Sequence, residues 1–202
     1  MNKFGALALL SAGGAGTSYA GYSYWTSGSE DKKAVTIGQK WAKFWIGTDD
    51  ANSAVWSNKS TKLTNADEAT LHPDLKDIKK AFRLEDLKGW CSKASSSEYE
   101  GKDSSYLEAV RGYCTFDIQD KLTKSALTKE GSWDDANNRL KKDGLSLSAT
   151  MAEIKTKMSK EQEPDTDALK TWCIANYLKP WLGGDDADFM DVQSYCTTPV
   201  EN

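Results

Sequence analysis

The chain has 202 residues, 26 of them Lys or Arg and 30 Asp or Glu, for a formal charge of -4. Both signs are interleaved and no basic stripe stands out, which argues against a nucleic-acid partner, because phosphate neutralisation needs Lys and Arg gathered on one face. A hydrophobic content of 39% excludes a charge-dominated disordered chain, and eight Trp and eight Tyr supply core area that the modest aliphatic content does not.

Residues 4–29 carry no charge, and residues 4–10 are strongly apolar behind Lys3 and the amino terminus, the layout of a signal sequence. Ser18-Tyr19-Ala20 offers a small-x-small cleavage site. Tyr22, Tyr24 and Trp25 equally suit the interfacial belt of an uncleaved anchor, so residues 1–33 read as a signal peptide or a transmembrane anchor with a short linker. Positive charge ahead of the segment and cancelling charge after it place the body outside the membrane, secreted or anchored at the cell surface. No Cys precedes Cys91, which excludes a lipid-modified N-terminal Cys.

The body reads as helical. Val35, Trp41, Phe44 and Trp45 fit one helical face, as do Leu75, Ile78 and Phe82, and later Met151, Ile154 and Met158. Start signals accompany these patterns at Pro73-Asp74, at Ser105 ahead of Glu108, at Ser132 ahead of Asp135, and at Asp165-Thr166-Asp167 after Pro164. No alternating run of Val, Ile and Thr calls for a strand.

Two sequence blocks recur. Leu87-Lys88-Gly89-Trp90-Cys91 matches Leu169-Lys170-Thr171-Trp172-Cys173, and Val110-Arg111-Gly112-Tyr113-Cys114-Thr115 matches Val192-Gln193-Ser194-Tyr195-Cys196-Thr197. Each pair of Cys is separated by 23. A third echo, Asp49-Asp50-Ala51-Asn52 with Asp134-Asp135-Ala136-Asn137, has a slightly different offset. The repeat exceeds ordinary solenoid periods, so the expected fold class is mainly α, with two tandem small helical units, residues 34–116 and 117–202, each holding a Cys pair. Equal spacing and matching flanks predict disulfides Cys91–Cys114 and Cys173–Cys196. The segments between the blocks, residues 92–105 and 174–188, differ freely and leave the copies most room to bind different things.

With both Cys blocks and the Ala/Gly-rich residues 6–21 in view, the sequence resembles the large paralogous families of uncharacterised proteins of haemotropic mycoplasmas. The resemblance implies surface display on a wall-less bacterium and contact with a host or cell-surface macromolecule. It brings no catalytic residues, because the family has no established activity.

Other chemistry is thinly signalled. His72, the one histidine, precedes Pro73 at a helix entry and reads as a turn or surface residue. The Cys are isolated and lack the close C-x2-4-C pair of zinc sites, so no metal and no cofactor are expected. The run from Gly183 to Asp188 lacks the central Gly and closing Glu of a calcium loop, and its Asp residues suit the start of the next helix. The expected role is therefore an interaction or structural one at the cell surface. The alternative is an exported hydrolase using a carboxylate pair, although no spacing selects such a pair.

Overall fold

A computed structural model describes residues 34–199. The signal or anchor expected in residues 1–33 lies outside them. The described helices belong to one compact unit that begins at Val35, and its buried residues gather in two clusters, one drawn from Ile37 to Cys114 and one from Ile118 to Cys196.

The first cluster is enclosed by α1 (Ile37–Lys40), α2 (Ser53–Asn65), α3 (Pro73–Lys80), α4 (Leu84–Ser95) and α5 (Ser104–Cys114). The second is enclosed by a 3-10 turn (Ile118–Lys121), α6 (Asp134–Lys141), α7 (Ala149–Met158), α8 (Ala168–Tyr177) and α9 (Ala187–Tyr195). The protein is mainly helical, with no extended strand among the described residues. Cys91 on α4 is bonded to Cys114 at the end of α5, and Cys173 on α8 to Cys196 just after α9, with Cα–Cα distances of 5.4 and 5.7 Å. All four sulfurs sit in the core, so each bridge pins two adjacent helices from inside.

Main-chain hydrogen bonds fix the correspondence between the copies. Ile37 N–H donates to Ser97 O as Ile118 N–H donates to Lys179 O, and Tyr99 N–H donates to Val35 O as Trp181 N–H donates to Phe116 O. At the other end, Ile46 N–H reaches Cys114 O as Leu127 N–H reaches Cys196 O. Both copies open on a capped turn: Thr36 N–H donates to Gln39 Oε1 and Gln39 N–H to Thr36 Oγ1, and Asp117 N–H donates to the Asp120 carboxylate. Phe116 serves twice. Its N–H donates to Phe44 O, closing the first copy, and its carbonyl accepts from Trp181 N–H, opening the second.

Two expectations need correction. Trp41, Phe44 and Trp45 do not share a helical face, because α1 ends at Lys40 and Trp45 pairs with Thr115 in an antiparallel bridge. That backbone is taken by tertiary pairing, which overrides the local periodicity. The Asp-Asp-Ala-Asn echo is not an equivalence either. Trp56 Nε1 donates to Gly47 O (2.9 Å) and Trp133 Nε1 to Thr128 O (3.1 Å), and each acceptor directly follows a matched residue, Ile46 or Leu127. Trp56, Lys59, Lys62 and Leu63 on α2 therefore correspond to Trp133, which directly precedes α6, and to Ala136, Arg139 and Leu140 on it, whereas Asp49 to Asn52 form the entry to α2.

Candidate functional site

The copies diverge most in chemistry where the start of the third helix meets the last helix. In the first copy, Pro73 occupies the first position of α3, where its fixed φ suits the helix and its missing N–H costs nothing. His72 caps that helix through Nδ1, which accepts from Asp74 N–H (3.3 Å) and leaves the ring proton on Nε2. The imidazole stands edge-on to Tyr106 at 5.4 Å, Tyr106 meets Trp90 at 5.8 Å, and Trp90 Nε1 donates to Asp74 (3.1 Å). Across from it, α5 is capped by Asp103, which accepts from Tyr106 N–H (2.8 Å) and Ser105 Oγ (2.7 Å); these bonds hold its carboxyl below the usual range.

Between these helix starts lies a crevice of about 280 Å³. Buried Leu71, Leu75 and Tyr113 form its floor with half-buried Ala109, and Thr70, His72, Ser105 and Glu108 supply polar groups at its rim.

The second copy keeps the scaffold and loses the opening. Leu147, Met151, Ile154 and Met158 repeat the spacing of Leu71, Leu75, Ile78 and Phe82, and Ser148 caps α7 where His72 caps α3. Ser148 Oγ accepts from Met151 N–H (3.1 Å) and donates to Asp191 at 2.6 Å. Asp191 precedes Cys196 as Ala109 precedes Cys114, so this bond spans the gap that stands open in the first copy. Burial pushes the Asp191 carboxyl above its usual range, against the pull of the Ser148 bond. At the positions of Ser105 and Glu108 the second copy has Ala187 and Met190.

Tyr113 also walls a larger groove of about 540 Å³ at the junction of the copies, lined by Asn58, Thr61, Lys62, Gln119 and Leu178 among others. Beneath it lies a buried ion cluster. Lys59 Nζ stands 2.7 Å from Asp117, with their side chains 0% and 1% exposed. Lys62 Nζ donates to Asp117 (3.1 Å), Gly112 O (3.0 Å) and Leu178 O (2.8 Å), so its three protons are all engaged. Burial pushes the Lys59 ammonium down to about 8, opposed by Asp117 and reinforced by Lys62. Burial also pushes the Asp117 carboxyl up, while the two ammonium groups pull it back. The second copy has Ala136 in place of Lys59, and Arg139 at the position of Lys62 donates to Tyr195 O (3.2 Å) and Thr197 O (2.6 Å).

Two of the three Asp residues after Gly184 are engaged in the fold: Asp186 caps α9 by accepting from Phe189 N–H (3.0 Å), and Asp188 pairs with Lys179 (2.9 Å). The crevice they help line, with Arg111 and Leu182, holds two carboxylates that already have partners. His72 does sit at a helix entry, as its sequence context indicates. Its place beside a crevice was not readable, because the facing residues lie on α5, more than 30 positions along the chain.

Fold and crevice together define a disulfide-pinned tandem of two helical copies, one open and one closed at the same place. No family model, curated protein or solved structure matches the chain. No helix among the described residues is long and apolar enough to cross a membrane, and the two disulfides are compatible with an extracellular or exported protein.

Proposed function

We propose that the protein is exported, displayed at the cell surface by or after processing of its N-terminal segment, and works as an interaction protein through the crevice of its first copy. One observation carries this reading. A scaffold duplicated down to individual main-chain hydrogen bonds has an open, polar-rimmed crevice in one copy, while Ser148 and Asp191 close the same gap in the other. A purely structural tandem has no use for that asymmetry. Rigid elements with an exposed, chemically distinct recess are where binding residues are placed, and the buried disulfides keep such a recess shaped outside the cell. The resemblance to surface families of haemotropic mycoplasmas makes the host red cell the surface to test.

Two measurements test the reading. Protease added to intact cells is expected to cut the body, and the full-length chain is expected to bind red-cell membranes. Protection until lysis would overturn export, and absence of membrane binding by the folded, oxidised chain would overturn the interaction role.

A further inference from the structure

We propose that the first-copy crevice takes an alkyl cation, a primary ammonium or guanidinium on a short aliphatic stem, presented as a Lys or Arg side chain of a partner polypeptide. The proposal names the ligand chemistry of the interaction site proposed above and rests on that reading.

Size is the first argument. At about 280 Å³ the crevice falls just below the range of about 300–1,000 Å³ that holds whole small-molecule ligands, and it suits one inserted side chain. Leu71, Leu75 and Tyr113 back the crevice as buried side chains with Ala109 beside them, so a narrow aliphatic stem can enter between the polar groups of the rim.

Charge is the second. No Lys or Arg lines the crevice, and Glu108 at its rim has no ion-pair partner among the described residues. His72 Nδ1 faces Asp74, accepting from its N–H and standing 3.8 Å from its carboxylate. The starts of α3 and α5 each contribute roughly half a positive charge, but Asp74 and Asp103 in and before their first turns already offset them. What remains for an incoming group is the Glu108 carboxylate at the mouth of the crevice, beside the hydroxyls of Thr70 and Ser105.

The third argument comes from the duplicate. Closing the gap in the second copy coincides with loss of the rim chemistry: Glu108 becomes Met190, Ser105 becomes Ala187, and the carboxylate that is present, Asp191, is turned inward onto Ser148. Opening and unpaired acid go together in one copy, and closure and its absence in the other.

The test uses the full-length oxidised chain and NMR titration, read on the ring of His72, the one histidine, and on the methyl groups of Leu75. The probes are n-butylammonium, n-butylguanidinium, butyrate, putrescine and a capped Gly-Gly-Lys-Gly-Gly peptide. Saturable shifts are expected with both butyl cations and the peptide, and none with butyrate. Glu108→Gln should weaken the cations about fivefold, the size of one partly solvated ion pair. His72→Ser with Ala109→Asp, which rebuilds the Ser148–Asp191 closure, should abolish binding, read on the Leu75 methyls. If that variant fails to fold, Ala109→Leu fills the slot without adding charge and should do the same.

Equal response to butyrate, unchanged affinity in Glu108→Gln, or no saturable shift with a folded chain would each overturn the cation assignment. Binding of putrescine but not of the peptide would overturn the polypeptide source. Red-cell binding that persists in Glu108→Gln while the titrations fail overturns this inference alone, whereas loss of red-cell binding by the unaltered chain overturns the interaction reading beneath it.

Discussion

The first and second copies are held by the same bonds and filled by different residues. Each closes a 23-residue separation with a buried disulfide, opens on a capped turn, and ties its first segment to the loop before its last helix. Yet where the first copy buries Lys59, the second has Ala136, and where the first leaves a crevice beneath His72, the second locks Ser148 to Asp191. Backbone pairing, disulfides and matched core residues such as Leu63 with Leu140 and Val110 with Val192 are common to both copies, while the chemistry at other equivalent positions has changed.

The junction cluster joins Lys59 and Lys62 of the first copy to Asp117 of the second, and breaking it should give the largest effect. Asp117→Asn leaves two ammonium groups with no anion beneath the groove and should cost about 3–5 kcal/mol in urea unfolding. Lys59→Met, by contrast, leaves the Lys62–Asp117 pair balanced and should change stability by about 1 kcal/mol or less. Equal costs for the two substitutions would show that the cluster is not organised around Asp117.

Lys59 also gives the cluster a pH signature. Its pKa in the folded state, about 8, lies below the ordinary lysine value of 10.5. Between those values the unfolded chain holds a proton that the folded chain has released, so stability should rise as pH increases from about 8. The penalty for burying the charge is fully present below that pH. Above about pH 10 the sign reverses for Tyr177, which burial holds up to about 12, because the folded state then keeps a proton that the unfolded state has lost. The rise is thus best measured between pH 8 and 9.5, and Lys59→Met should flatten it.

Removing either disulfide should cost about 3 kcal/mol, nearly the same in both copies, since the closed loops are equal in length. Paired Cys→Ala variants, Cys91 with Cys114 and Cys173 with Cys196, compared by chemical unfolding, check that equality. A smaller difference is expected at the caps. Ser148→Ala removes both the α7 cap and the partner of Asp191 and should cost about 1–2 kcal/mol, more than His72→Ala, whose cap bond is longer and more exposed.

Much of the scaffold was legible in the sequence. The Trp-Cys and Tyr-Cys blocks have identical side chains at constant spacing, so the helices that carry them and their pairing could be read directly. The first half of each copy could not. Four more residues separate Ile46 from Trp56 than separate Leu127 from Trp133, and the loop after Met158 is longer than the one after Phe82, so the register shifts within the repeat. Corresponding positions there hold Lys59 and Ala136, or His72 and Ser148, which share a location and not a chemistry. The Asp-Asp-Ala-Asn echo matches in residue identity alone, while the true equivalence of Trp56 with Trp133 rests on one indole hydrogen bond in each copy. The crevice was hidden for a related reason: its walls come from α3 and α5, and its meaning appears only beside the closed copy.

Non-reducing peptide mapping of the oxidised chain tests most directly whether each copy closes on itself. Peptides joining Cys91 to Cys114 and Cys173 to Cys196 are expected; a peptide joining Cys91 to Cys173 or Cys196 would contradict two self-contained copies and the open-and-closed comparison built on them.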